Sequence, residues 1–182
     1  TKAQPMSAVG LGAEIGIHPQ SEWNNPEPEI VLAVNSRGRT VGATLGNDVN
    51  LRDFEGRSAL LLGKAKDNNA SCAIGPFLRL FDERFGIDDV RRAEIALRVE
   101  GPDGFVMDGR SSMARISRDP LDLVQDRRGP GQGFTHEIGD VVTVATPRLG
   151  ALVNRVNRTD AIAPWTFGTR ALMANLARRG LL

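Results

Sequence analysis

Two glutamates separated by one proline are placed so that both could bind the same cation. They lie in Pro26-Glu27-Pro28-Glu29, directly before an apolar stretch, and the two prolines favour an extended backbone. Side chains alternate in an extended chain, so Glu27 and Glu29 project from one face. Neighbouring carboxylates repel each other unless a cation or a proton lies between them. The pair predicts a metal site, with a solvated strand edge as the alternative.

Asp48 supplies a third carboxylate near the first two. The segments 29–35 and 40–45 flank Ser36-Arg37-Gly38-Arg39 and predict a hairpin, after which Asp48 returns to the end that carries Glu29. Three carboxylates without a neighbouring Cys or His favour Mg²⁺, with Mn²⁺ or Ca²⁺ as the other oxygen-binding choices, over zinc. A site of this kind leaves about three of six coordination positions open, which suits Lewis-acid catalysis on a chelating 2-oxo acid.

The rest of the chain is predicted to form mostly strands. Two further hairpins are expected, with strands at 92–99 and 104–108, and at 139–146 and 150–156. The segment 51–71 is rich in charged and small residues and is expected to be a long functional excursion between hairpins.

Helices are predicted only at the margins: a short one from Asp119-Pro120 to about Val124, and an amphipathic one over 169–179 with Gly180 as its C-cap. This pattern predicts an α+β fold that is mostly β, a curved mixed β structure with peripheral short helices.

The amino-acid composition limits the classes of protein to which this chain can belong. With 182 residues, 41% hydrophobic and 25% charged, the chain is expected to form a single catalytic domain over residues 1–182. Its net charge of +1 gives no electrostatic reason to expect nucleic acid or a membrane surface as partner, and we expect a cytoplasmic protein. The single cysteine, Cys72, excludes an intramolecular disulfide framework and is expected to be a small buried hydrophobe.

Four short segments resemble the fumarylacetoacetate hydrolase family. They are Pro-Glu-Pro-Glu at 26–29, Gly-Asn-Asp-Val-Asn-Leu-Arg-Asp at 46–53, Leu-Gly-Lys-Ala-Lys-Asp at 62–67, and Ala-Ser-Cys-Ala-Ile-Gly-Pro at 70–76. The family's E-x-E, D-x-x-x-R-D and lysine occur in order at suitable spacings. The resemblance implies a curved mixed β-roll, a homodimer or higher homo-oligomer, and metal binding by Glu27, Glu29 and Asp48.

The resemblance also implies roles for two basic residues. Lys66 matches the active-site lysine, and independently a lysine beside a metal-bound substrate can stabilise an enolate or transfer protons; the alternative is a surface lysine, which suits Lys64 better. Arg52 matches an arginine that can bind a substrate carboxylate through a charge-assisted fork. It could equally be an ion-pair partner of Asp48 or Asp53.

The match has two gaps. The family usually carries a Gly-Thr segment with a substrate-contacting Thr between the helix near 120 and the strand near 140, and it carries an N-terminal portion with lid residues. We expect both parts to be omitted from this version of the chain, with a break near 125–126. His18 and His136 are expected to be loop or core histidines and not replacements for a missing acid–base residue.

The family contains two chemistries that begin with metal chelation of a 2-oxo acid. The details at 46–76 resemble dehydratases of 2-keto-3-deoxy-pentonates, whose product is 2-oxoglutarate semialdehyde. The alternatives are hydrolysis of a C–C bond in 2,4-diketo acids such as acylpyruvates, and a non-catalytic metal-binding domain.

Overall fold

The computed structural model describes residues 3–115 and 134–182 and contains ten strands in three sheets within these ranges. The strands are β1 (Glu14–Ile17), β2 (Asn24–Asn25), β3 (Pro28–Val34), β4 (Thr40–Asp48), β5 (Asn50–Leu51), β6 (Cys72–Leu80), β7 (Glu94–Glu100), β8 (Val106–Ser112), β9 (Val141–Thr146) and β10 (Gly150–Arg158). The expected class, α+β and mostly β, is confirmed.

The larger sheet has five strands in the order β1-β10-β9-β7-β8. Strand β1 pairs with β10 in parallel and the other neighbours are antiparallel, so the sheet is mixed. Both hairpins predicted for the second half of the chain, β7–β8 and β9–β10, belong to this sheet. Along β7 every second residue is buried, because alternate side chains of a half-covered strand face the core.

The smaller sheet has three antiparallel strands in the order β3-β4-β6. The predicted hairpin 29–35/40–45 forms its first two strands, and the turn includes Gly38 with a φ of 73°, a conformation that glycine adopts without steric cost. Strand β4 is longer than predicted, and Asp48 is its last residue rather than a residue beyond it. Strands β2 and β5 form a separate two-stranded ribbon.

Apolar side chains from the five-stranded and the three-stranded sheets share one core. The fully covered members from β4, β6, β7, β9 and β10 include Ala43, Leu45, Ala73, Leu97, Val99, Val142, Val144, Leu152 and Val156. Burial of this apolar area is the main stabilising contribution, and it fixes the two sheets relative to each other. The residues at the end of the β3–β4 hairpin are therefore held on a packed scaffold.

The helices are short. They are α1 (Arg52–Glu55), a 3₁₀ turn (Ala59–Leu61), α2 (Leu62–Lys66), α3 (Ile87–Arg91) and α4 (Thr169–Arg178). The closing helix was predicted, and Gly180 follows its end with a φ of 66° while the Leu181 N–H donates to the Leu176 carbonyl at 3.0 Å. The predicted helix at 120–124 and the break near 125–126 lie outside the described residues.

Within the residues that the structure describes, none of the helices has the length and apolar character needed to cross a bilayer.

Candidate active site

Three carboxylates converge at one end of the small sheet. Ligand oxygens of Glu27, Glu29 and Asp48 all lie within 4.8 Å of one another, and each residue is partly buried. The β3–β4 register produces this arrangement: Glu29 lies opposite Gly46, and the Asp48 N–H donates to the Glu27 carbonyl at 2.9 Å. Glu27 thus lies just before β3 and opposite Asp48, and the two-residue alternation puts Glu29 on the same face.

Gly46 has no side chain, and this lets the neighbouring strand β3, which carries Glu29, approach β4 closely. A Cβ at this position would lie 2.7 Å from Val31 Cγ2 and 3.9 Å from the Glu29 Cβ. Real Cβ contacts are not this short, so a side chain here would displace Val31 or the strand that carries Glu29. The glycine therefore permits the close approach of the carboxylate-bearing segments.

Asn47 fixes the backbone of the first glutamate. Its side chain is 1% exposed on the core face, and its Oδ1 accepts a hydrogen bond from the Glu27 N–H at 3.2 Å. With the Asp48 N–H to Glu27 carbonyl bond, both backbone groups of Glu27 are held by consecutive residues of β4. Asn47 was not predicted as a site residue; its signal in the sequence is an amide at a core-facing position of β4, between Gly46 and Asp48.

Lys66 lies against the carboxylates. It is the last residue of α2, and its ammonium forms an ion pair with Glu27 Oε2 and lies 3.5 Å from Asp48 Oδ1. The Lys66 side chain is 13% exposed, whereas Lys64 on the same helix is solvent-exposed. The segment 51–71 thus brings one of its two lysines, Lys66, to the acidic cluster.

Arg52 lies beside the ring of Trp23. Its guanidinium carbon lies 5.9 Å from the centroid of the Trp23 ring, a cation–π distance. Asp48 is instead paired with Lys66, and Asp53 accepts hydrogen bonds from the Ser21 hydroxyl at 2.8 Å and the Glu22 N–H at 3.0 Å. Arg52 follows Leu51 directly, four residues beyond the end of β4, so it is near the cluster in sequence while its guanidinium lies over an aromatic ring.

Neither histidine joins the carboxylate cluster. His18 is partly buried beside Phe54, with ring centroids 5.4 Å apart, and burial and the nearby charge of Lys64 lower its pKa. His136 has a fully buried side chain, and its Nδ1 lies 3.5 Å from Asp140 Oδ2. These are the loop and core positions that the sequence analysis expected.

Cys72 departs from its expectation. It is only partly buried, because it is the first residue of β6 and lies opposite Asp48 on the strand that flanks β4. An alternating strand directs it toward the face of Asp48 and not into the core, where Ala73 is fully buried.

The donor set suits a hard divalent cation. Oxygen ligands bound at 2.0–2.6 Å to one ion are at most about 5 Å apart, and the three carboxylates satisfy this limit. The cluster contains neither a thiolate nor an imidazole, so its chemistry favours Mg²⁺ or Mn²⁺ over zinc. The adjacent ammonium offsets negative charge on two of the three carboxylates and can act on a substrate held beside them.

Comparison with known proteins gives two curated relatives. The chain is 30% identical over 172 residues to a probable 2-keto-3-deoxyxylonate dehydratase of Haloferax volcanii, covering 85% of this chain and 58% of the relative. It is 39% identical over 82 residues to the 2-dehydro-3-deoxy-D-arabinonate dehydratase of Saccharolobus solfataricus, covering 45% of this chain and 28% of the relative. The chain therefore spans little more than half the length of the first relative. No protein-family profile matches the sequence.

Solved structures share the fold. A 2-keto-3-deoxy-D-arabinonate dehydratase complexed with magnesium and 2,5-dioxopentanoate superposes with a TM-score of 0.73 at 27% identity, covering 86% of this chain and 61% of that one. A fumarylpyruvate hydrolase from Pseudomonas aeruginosa, in complex with Mn²⁺ and pyruvate, superposes with a TM-score of 0.55 at 22% identity, covering 86% and 75%. The second likeness concerns the fold alone.

Proposed function

The chain belongs to the fumarylacetoacetate hydrolase family, and on this premise we propose that it is the catalytic domain of a magnesium-dependent dehydratase of a 2-keto-3-deoxy sugar acid. The observation that carries the proposal is the cluster of Glu27, Glu29 and Asp48 with the Lys66 ammonium against it. This cluster occurs in a chain whose curated relatives are named as dehydratases of 2-keto-3-deoxy-pentonates. The shared hydrophobic core of the two larger sheets supports treating residues 1–182 as one domain.

Glu27, Glu29 and Asp48 are proposed to hold Mg²⁺. Their spacing and all-oxygen chemistry fit this ion, and the dehydratase with a TM-score of 0.73 was solved with magnesium. When bound, the ion supplies Lewis acidity to the 2-oxo acid, which makes the hydrogens on C3 easier to remove. The carboxylates orient the ion, and the β3–β4 register orients the carboxylates.

Lys66 is proposed to be the catalytic lysine. Loss of water from a 2-keto-3-deoxy-pentonate removes a proton from C3 and hydroxide from C4, with a net release of one water molecule. During this step negative charge grows on the 2-oxo oxygen, and an ammonium held beside the substrate stabilises that charge or exchanges the proton. The proposed product is 2-oxoglutarate semialdehyde, which is another name for the 2,5-dioxopentanoate of the magnesium complex.

Arg52 is proposed to bind the substrate carboxylate. A guanidinium whose carbon lies 5.9 Å from the centroid of the Trp23 ring keeps N–H donors available for a carboxylate, because the cation–π attraction needs none of them as hydrogen-bond donors. The proposed partner is thus a small-molecule 2-oxo acid.

We also propose that the protein is a cytoplasmic homodimer. Large apolar side chains on the small sheet are half or more exposed, including Val34 at 60%, Phe77 at 52% and Leu80 at 61%, and a second copy of the chain would cover them. Replacing Leu80 with Glu should convert a dimer in sedimentation velocity into a monomer; an unchanged mass would place the interface elsewhere. A single cysteine suits a reducing compartment.

Turnover assays on the full-length protein test the reaction. A 2-keto-3-deoxy-pentonate and an acylpyruvate should each be supplied with Mg²⁺ and with a chelator. The proposal expects Mg²⁺-dependent release of the semialdehyde from the sugar acid and much slower cleavage of the acylpyruvate. Faster acylpyruvate cleavage would assign the C–C hydrolase alternative, which the same carboxylate cluster could also serve. No turnover of either substrate, with Mg²⁺ bound, would favour a non-catalytic metal-binding domain.

A further inference from the structure

Ser71 lies beneath the end of the helix that carries Lys66. Its side chain is buried, at 2% exposed for the residue, and its hydroxyl lies 2.8 Å from the Lys66 carbonyl and 2.9 Å from the Asn68 carbonyl. The same oxygen accepts a hydrogen bond from the Asn68 N–H at 3.1 Å. A hydroxyl has one hydrogen to donate, so it satisfies one of the two carbonyls at a time while accepting from the turn.

The main chain of Ser71 is bound to the strand side of the site. Its carbonyl accepts a hydrogen bond from the Val49 N–H at 3.1 Å, directly after Asp48, and the next residue, Cys72, lies opposite Asp48 in the β4–β6 register. Ser71 therefore bonds to the backbone of Lys66 through its side chain and to the end of β4 through its main chain. These are the two segments whose charged groups meet in the ion pair.

The turn before Ser71 is held in an uncommon conformation. Ala70 has a φ of 56°, in the left-handed region, although it is not glycine, and it is 3% exposed. Such a residue costs on the order of 1–3 kcal/mol and persists only where its surroundings determine the backbone. Here the Ala70 carbonyl accepts from the Gly16 N–H at 2.9 Å, which pins the turn to strand β1. The chain reverses at this point, and the reversal directs Ser71 toward α2.

We propose that Ser71 is a positioning residue that holds Lys66 against the carboxylates; the effect on catalysis, though not the positioning, rests on the function proposed above. A lysine side chain rotates about four bonds, so its ammonium is localised only if the backbone that carries it is fixed. The Ser71 hydroxyl fixes that backbone at the last turn of α2, where helix carbonyls lack helical partners. Without it, the carbonyl end of α2 loses its side-chain partner and Lys66 moves away from Glu27 and Asp48.

Lysine labelling tests the positioning without any substrate. The wild-type full-length protein, Ser71→Ala and Ser71→Thr are treated briefly with an acylating reagent, and the modified fraction of each lysine is read by mass spectrometry. Lys66 should react slowly in the wild type, several-fold faster in Ser71→Ala, and slowly again in Ser71→Thr, which keeps the hydroxyl. Lys64 on the same helix is the internal control and should react equally in all three. Equal labelling of Lys66 in wild type and Ser71→Ala would overturn the proposal.

A second variant covers the case in which Ser71→Ala does not fold. Ser71→Cys keeps the size of the side chain but donates a weaker hydrogen bond, so the labelling of Lys66 should rise less than in Ser71→Ala but above wild type. Unchanged labelling of Lys66 in a folded Ser71→Cys would overturn the proposal equally.

A double-mutant cycle separates positioning from general stability. Ser71→Ala should lower kcat about tenfold to a hundredfold with little change in KM, because a misplaced catalytic group is expected to cost about this much. In the Lys66→Met background the same change should have no further effect on kcat, since Ser71 acts through Lys66. Additive losses would overturn the proposal. A labelling change in a protein that turns over neither substrate would contradict the proposed function and leave the positioning role intact.

Discussion

The ammonium of Lys66 lies 3.5 Å from Asp48 Oδ1 and is ion-paired with Glu27, so the lysine contacts two of the three carboxylates proposed to hold a cation. The lysine and the proposed cation would therefore bind to overlapping groups. A divalent ion at this cluster has to share the carboxylates with the ammonium or displace it. The affinity for the ion should therefore change when the lysine is replaced.

Replacing Lys66 with Met should raise the affinity for Mg²⁺ while lowering turnover. Removing one positive charge about 4 Å from a divalent ion relieves about 2 kcal/mol of repulsion even at the dielectric constant of water, which corresponds to about a thirtyfold gain in affinity. Isothermal titration calorimetry measures the affinity and a semialdehyde assay measures turnover. Lys64→Met on the exposed face of the same helix is the control and should change neither. Weaker Mg²⁺ binding by Lys66→Met would contradict this account of the site.

Glu29→Gln should weaken Mg²⁺ binding by about tenfold or more, because the site loses one of three negative charges and one carboxylate ligand. Glu83→Gln, at an exposed turn, is the matched control and should bind like the wild type. Calorimetry at constant ionic strength makes the comparison. If Glu29→Gln bound Mg²⁺ as tightly as Glu83→Gln, Glu29 would not be a ligand.

Gly46→Ala should lower both stability and Mg²⁺ affinity. The new Cβ would lie 2.7 Å from Val31 Cγ2, and overpacking of this kind costs about 1–3 kcal/mol. Gly63→Ala in α2 is the control, because a Cβ there meets nothing within 4 Å. Thermal unfolding and calorimetry provide the two readings. Equal melting temperatures for the two variants would show that Val31 yields without cost and that Gly46 does not constrain the cluster.

His18 should make the fold sensitive to acid. Burial, followed by the charge of Lys64, lowers its pKa below the ordinary value of 6.5, so the unfolded chain takes up the proton more readily. The stability due to neutral His18 is therefore present above pH 6.5 and is lost as the pH falls below it. Urea unfolding at about pH 7 and about pH 5 should show a smaller decline in the free energy of unfolding for His18→Gln than for wild type.

Lys64→Gln is the control for the cause of that shift. It should raise the His18 pKa toward 6.5 in an NMR titration of the imidazole protons. If the pKa of His18 in Lys64→Gln matched that of the wild type, burial alone would be responsible, and equal acid sensitivity of His18→Gln and wild type would exclude a role for His18.

Local rules in the sequence predicted part of the fold and site. Side-chain alternation placed Glu27 and Glu29 on one face, and the hairpin turn returned the chain toward Asp48. Strand β6 was missed, because Gly75-Pro76 in its middle is typical of a turn. The structure accommodates it because β6 is an edge strand, where proline is tolerated.

Non-local contacts were harder to predict. The return of Lys66 to the cluster depends on how the segment 51–71 folds back, and only the family resemblance indicated it. Asn47 and Ser71 gave no periodic signal, because their importance comes from single hydrogen bonds to backbone groups 20 and five residues away in sequence. Such contacts are determined by the packed scaffold and not by local propensity.

Anomalous diffraction from crystals of the full-length protein soaked with Mn²⁺ would show whether Glu27, Glu29 and Asp48 hold one divalent cation. We expect one strong anomalous peak with carboxylate oxygens of all three residues about 2.0–2.6 Å away. The same crystals of Glu29→Gln should show a weaker peak at that place. A peak at another position, or none at the three carboxylates with Mn²⁺ in excess, would mean that these residues do not form the metal site.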